Sequence, residues 1–145
     1  MEREYGESIF LGYRISMTSK RMQAALQHRF RQLDPDLTFE QWTVLLALWR
    51  KDGRTQQELS AETGRDQTSL SRLLDTMVRR NLIVRVQSRE DRRINLIYLT
   101  YRGKELERPL LELAGELQAQ ALQGIGEDEL SVFLRVLNRI DRNMN

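Results

Sequence analysis

Residues 55–100, TQQELSAETGRDQTSLSRLLDTMVRRNLIVRVQSREDRRINLIYLT, hold a short helical pattern, a tight turn, a second helical pattern and two alternating runs joined by a charged loop. The second helical pattern, 66–80, is the informative one. Leu70, Leu73, Leu74, Met77 and Val78 recur at i, i+3, i+4, i+7 and i+8, one apolar stripe of a 3.6-residue period. Each residue turns by about 100°, so Thr68, Arg72 and Arg79 point away from the stripe, with Ser69, Ser71 and Thr76 on its flanks. One side packs and the other offers hydroxyl and guanidinium groups. Asp66 is the expected N-cap, leaving Gln67, Thr68 and Ser69 in an exposed first turn.

The flanking signals agree with that reading. Thr55 and Glu58 have capping-box spacing, and Gly64 supplies a helix stop. After Arg80 the period changes: Val84 and Val86 alternate with Arg85 and Gln87, and Ile94, Leu96 and Tyr98 alternate with Asn95, Ile97 and Leu99. Between the two strands lies Ser88-Arg89-Glu90-Asp91-Arg92-Arg93, a hairpin tip suited to phosphate or minor-groove contact. The order predicts a winged helix-turn-helix. In such folds the first turn of the second helix reaches base edges in the major groove, where Gln suits adenine, Arg suits guanine and Ser or Thr suits either.

The run RLLDTMVRRNLIVR followed by SREDRRINLIYLTYRG resembles the winged helix of the MarR family of bacterial transcriptional regulators. The resemblance is carried by the D-x-R of the wing (Asp91, Arg93) and by the L-T-x-x-G that ends it (Leu99, Thr100, Gly103). It implies that Arg93 enters the minor groove and that Asp91 orients an arginine by ion pairing; the lesser alternative is that Asp91 is only a turn residue. It further implies that helical arms at the two ends interlock with those of a second subunit. Tyr13, Met17 and Met22 are favoured for packing in the dimer interface, and are also the candidates to line a cleft between arms and winged helix for a small aromatic or anionic effector.

With 145 residues, 40% hydrophobic and 30% charged, the chain has the composition of one globular domain, 1–145. The N-terminus lacks the basic-then-apolar order of a signal peptide and no apolar run is long enough to span a membrane, so the expected location is cytoplasmic. The absence of cysteine removes disulfides and thiol redox sensing. Net charge is only +2, yet residues 65–93 hold eight arginines against four carboxylates, so the positive excess sits on the helix-turn-helix and wing.

Upstream, residues 7–33 read as one long helix ended by Asp34-Pro35, with Ile9, Phe10, Leu11, Tyr13, Ile15 and Met17 apolar on more than one side. Thr38 with Gln41 opens the next helix, and its Trp42, Leu45, Leu46 and Trp49 form a core stripe. Downstream, Thr100 caps a helix running to about Leu122, which Pro109 should kink or restart. Gly124 and Gly126 break it before a last amphipathic helix.

The predicted fold class is therefore mostly α (α+β): a winged helix-turn-helix over 36–100 with a two-stranded wing, and dimerisation arms over 7–33 and 101–143. The predicted function is a homodimeric regulator, a repressor of transcription, that binds double-stranded DNA. Gln67, Thr68, Ser69, Ser71 and Arg72 would read the major groove, Arg93 the minor groove, and Arg89 and Arg92 would hold phosphates. With one histidine, no cysteine and no phosphate-binding or zinc-protease motif, an enzyme, a metal site and a cofactor are not expected. The rival is a winged-helix module that docks proteins and binds no DNA.

Overall fold

The computed structural model describes residues 6–145. A 3₁₀ turn, Glu7–Phe10, leads into α1 (Leu11–Leu33) and α2 (Phe39–Arg50); β1 (Arg54–Thr55), α3 (Gln56–Thr63) and α4 (Gln67–Arg79) follow. Then come β2 (Ile83–Gln87), β3 (Asn95–Leu99), α5 (Tyr101–Glu105), α6 (Glu107–Ala121) and α7 (Glu127–Met144). Two compact units divide the chain, the second spanning Gly115–Asn145. No helix among the described residues is long and apolar enough to cross a membrane.

Local signals set most of the boundaries. At α2, Thr38 Oγ1 accepts from the Gln41 N–H at 3.1 Å and Gln41 Oε1 accepts from the Thr38 N–H at 3.3 Å, a complete capping box. At α3, Thr55 Oγ1 accepts from the Glu58 N–H at 3.0 Å, but only this half of the box forms. Gly64 ends α3 at φ +68°, a left-handed conformation that a side chain would disfavour. Asp66 caps α4 by accepting from the Ser69 N–H at 2.7 Å.

Two expectations change. The wing sheet has three strands in the order β1-β3-β2, because Arg54 and Thr55 pair antiparallel with Ile97 and Leu96; two residues are too short for any alternation to show. The first helix begins at Leu11, after the 3₁₀ turn. The helix beyond the wing restarts, one of the two outcomes expected at Pro109: it divides at Leu106, and Pro109 falls in the first turn of α6, where its missing N–H has no partner to lose.

The core of the first unit gathers Phe30 of α1, Leu45 and Leu48 of α2, Leu59 of α3, and Leu70, Leu74 and Met77 of α4. Phe30 and Trp42 lie 4.9 Å apart, and Trp42 and Trp49 5.6 Å in an edge-on pair, so the aromatic stripe packs as core. The register Ile83↔Leu99 and Arg85↔Ile97 places these side chains on one face of the sheet. That inner face buries Ile83, Ile97 and Leu99, leaving Val84, Val86 and Tyr98 on the exposed face.

The L-T-x-x-G motif is a junction in this packing. Thr100 Oγ1 accepts from the Gly103 N–H at 3.1 Å and donates to the Asn81 carbonyl at 2.6 Å. The Gly103 carbonyl accepts from Trp49 Nε1 at 2.9 Å, and a Cβ on Gly103 would collide with the Leu82 carbonyl.

A second junction is polar. Asp34, the buried C-cap of α1, accepts at both carboxylate oxygens from Arg80 Nη2 at 2.7 Å and at Oδ2 from Arg102 Nη2 at 3.3 Å. Arg80 Nη1 also donates to Gln41 Oε1 at 2.7 Å and to the Asp36 carbonyl at 3.0 Å. Arg80 is thus part of the scaffold. Burial acts to raise the Asp34 pKa, but the Asp36 N–H, the hydrogen bond and charge of Arg80, and the charge of Arg102 outweigh it and hold the carboxyl below its ordinary value.

Removing one partner of such a pair leaves the other buried and uncompensated, so Arg80→Met should cost about 3 kcal/mol in urea unfolding. Because the folded pKa of Asp34 is depressed, its contribution is present above the unfolded value of about 3.9 and is lost as pH falls through the lower folded value. Asp34→Asn should therefore be less stable at neutral pH and lose less stability on acidification over that window, measured as denaturation midpoint against pH. A variant as acid-sensitive as the parent would place the titrating group elsewhere. Gly103→Ala should lower the melting temperature, because the added Cβ would meet the Leu82 carbonyl.

Candidate nucleic-acid interface

Burying Leu70, Leu74 and Met77 fixes the rotation of α4, and the opposite side necessarily faces out. Gln67, Thr68 and Arg72 are exposed, and Ser69 and Ser71 are half-buried. Thr68 and Arg72 are one helical turn apart on the same side, and so are Gln67 and Ser71. Beyond them Arg79 is exposed in the last turn, its Nη2 3.4 Å from Thr76 Oγ1.

The wing is tied to this helix. Arg85 sits opposite Ile97 on the inner face of the sheet, and from there its Nη1 pairs with Asp75 while its Nη2 donates to the Ser71 carbonyl at 2.9 Å. Arg85 therefore serves to position the wing. The loop between β2 and β3 carries Arg89, Arg92 and Arg93, all exposed.

Asp91 is both turn residue and ion-pair partner. It accepts from the Arg93 backbone N–H at 3.0 Å, from Nε at 3.1 Å and, at the other oxygen, from Nη2 at 3.0 Å. These bonds hold the Asp91 carboxyl below its ordinary pKa and push Arg93 up, so the pair stays charged. The Arg93 side chain remains 89% exposed, so the clamp orients the guanidinium without covering it.

Gln67 and Arg93 both line one cleft of about 310 Å³, with Thr55, Gln56, Gln57 and Asn95 completing its polar lining. Gln56, Gln57 and Asn95 were not singled out from the sequence. The parity of β3 carries the signal for Asn95, which shares the inner face with Ile97 and Leu99. The Gln pair had only its place just after the Thr55 cap. Tyr13, Met17 and Met22 do not gather: Tyr13 and Met17 share one side of α1, while Met22, nine residues after Tyr13, lies about half a turn away. No group of three or more His, Asp or Glu side chains among the described residues is placed to hold a metal ion.

A family model described as MarR family matches residues 36–94. The solved structure of the transcriptional regulator PA3341 is 33% identical, with a TM-score of 0.81 over 92% of this chain and 97% of that one. This chain belongs to the MarR family. The structure of a mutant Escherichia coli MarR complexed with operator DNA is 25% identical, with a TM-score of 0.86 over 96% of this chain and 99% of that one. A MarR-family regulator from Silicibacter pomeroyi is 26% identical, with a TM-score of 0.80 over 100% of this chain and 97% of that one. As a member of the MarR family, the protein is a DNA-binding transcriptional regulator and not an enzyme.

If Arg85 fixes the wing, Arg85→Met should speed amide hydrogen exchange across loop 88–94 several-fold while changing global stability by less than about 1 kcal/mol, as expected for a partly exposed pair. Unchanged exchange would mean that the wing holds its position without this tie.

Proposed function

We propose that the protein is a homodimeric repressor that reads a pseudo-palindromic operator. Gln67, Thr68, Ser69, Ser71 and Arg72 contact base edges in the major groove, Arg93 enters the adjacent minor groove as Asp91 orients it, and Arg89 and Arg92 hold phosphates. The observation that carries this reading is the exposed Thr68–Arg72 side of α4 flanked by an arginine-bearing wing on the same compact unit.

The dimer is supported by apolar surface that one chain leaves open. In the first unit Ile9, Phe10, Leu11 and Tyr13 are exposed at the start of the helical region, and in the second α7 buries no residue and exposes Val132, Phe133, Leu134 and Val136. A two-fold pair covering these faces presents two recognition helices about 34 Å apart, one turn of DNA. A small aromatic or anionic effector that favours another spacing releases the DNA, with a coupling of about 1 to 3 kcal/mol.

Arg72→Ala should cost about 1 to 3 kcal/mol of operator affinity and relax specificity. Arg93→Ala should weaken binding mainly through an A·T-rich flank. Both are read by titrating DNA from the protein's own upstream region against a scrambled competitor. A parent protein that binds neither DNA, at any salt concentration, would favour a docking module instead.

A further inference from the structure

The cleft between α3, the first residue of α4 and the base of the wing has a lining suited to an anion. Four amide residues, Gln56, Gln57, Gln67 and Asn95, line it together with Arg93, and no carboxylate is among the lining residues. None of these amides engages a side-chain hydrogen bond among the described residues, so their N–H donors are unspent. The volume of about 310 Å³ is many times the roughly 30 Å³ share of one water.

Position points to the occupant. Two different elements contribute to the cleft's lining: Gln67, at the start of the helix assigned to the major groove, and Arg93 of the wing loop, assigned to the minor groove. A duplex separates a major groove from its neighbouring minor groove by one sugar-phosphate strand, and that strand has to cross between these residues. Resting on the DNA-binding reading above, we propose that this cleft seats a backbone phosphodiester of the bound duplex, with Gln57 and Asn95 as neutral donors to its oxygens.

The chemistry of the seat has a measurable signature. Arg93 is already clamped by Asp91, so the amides supply hydrogen bonds without supplying charge. Neutral donors release no counterions, so they set affinity while leaving its salt dependence alone, whereas a phosphate-neutralising arginine adds about one unit to the slope of log affinity against log salt. The contact is also blind to sequence.

The test uses the full-length protein and a 30-base-pair duplex of random sequence, titrated by fluorescence anisotropy across a salt series. Gln57→Ala and Asn95→Ala should each weaken binding roughly three- to tenfold at every salt concentration, with lines parallel to the parent's. Gln57→Glu, which keeps the shape and places a carboxylate against the phosphate, should lose more than Gln57→Ala. A Gln57→Ala/Asn95→Ala double variant with parental affinity, or a Gln57→Glu loss no greater than that of Gln57→Ala, would overturn the seat while leaving DNA binding intact. No binding by the parent would overturn the DNA reading itself. Inorganic phosphate competing no better than chloride at equal ionic strength supports a strand phosphate; selective competition would make the cleft a free-anion site and overturn the assignment.

Discussion

The Asp34–Arg80 contact joins parts of the chain that sequence separates by 46 residues: the end of α1, the cap of α2 through Gln41, and the end of α4. Apolar packing of Leu70, Leu74 and Met77 sets which side of α4 is inside, but a greasy stripe alone allows a helix to slide along its axis. Directional bonds at its C-terminal end remove that freedom. With Asp66 capping the other end, α4 is fixed in both rotation and position.

Everything proposed for DNA follows from what this fixing leaves outside. The polar side of α4 faces solvent, and Arg85, reaching from β2 to Asp75 and the Ser71 carbonyl, carries the wing to a set place beside it. The local excess of arginine is thereby divided by role. Arg80 and Arg85 are spent on scaffold, Arg93 is oriented by Asp91 but uncovered, and Arg72, Arg89 and Arg92 stay exposed. Counting charges along the sequence cannot make that division, because it depends on which carboxylate each guanidinium meets.

What was legible had a local cause. The stripe of α4, the caps at Thr38, Asp66 and Thr100, and the stop at Gly64 are each set by residues within a turn or two, and the structure has them all. The resemblance to the MarR family, read from Asp91, Arg93 and the Leu99-Thr100-Gly103 motif, agrees with the comparisons. What escaped was tertiary: β1 is only two residues of ladder, and Gln57 and Asn95, 38 positions apart in sequence, line the same cleft. The alternation of the wing strands showed two faces but not that Ile83, Ile97 and Leu99 would be the inner one.

Because the chain lacks cysteine, a single introduced thiol can report where one residue meets DNA. Thr68→Cys carrying a DNA-cleaving iron chelate, bound to operator DNA, tests most directly whether the exposed side of α4 lies in the major groove in two copies. The predicted result is two cleavage clusters, symmetric about the operator centre and separated by about one helical turn. Cleavage spread evenly along the duplex, or a single cluster without symmetry, would contradict the account.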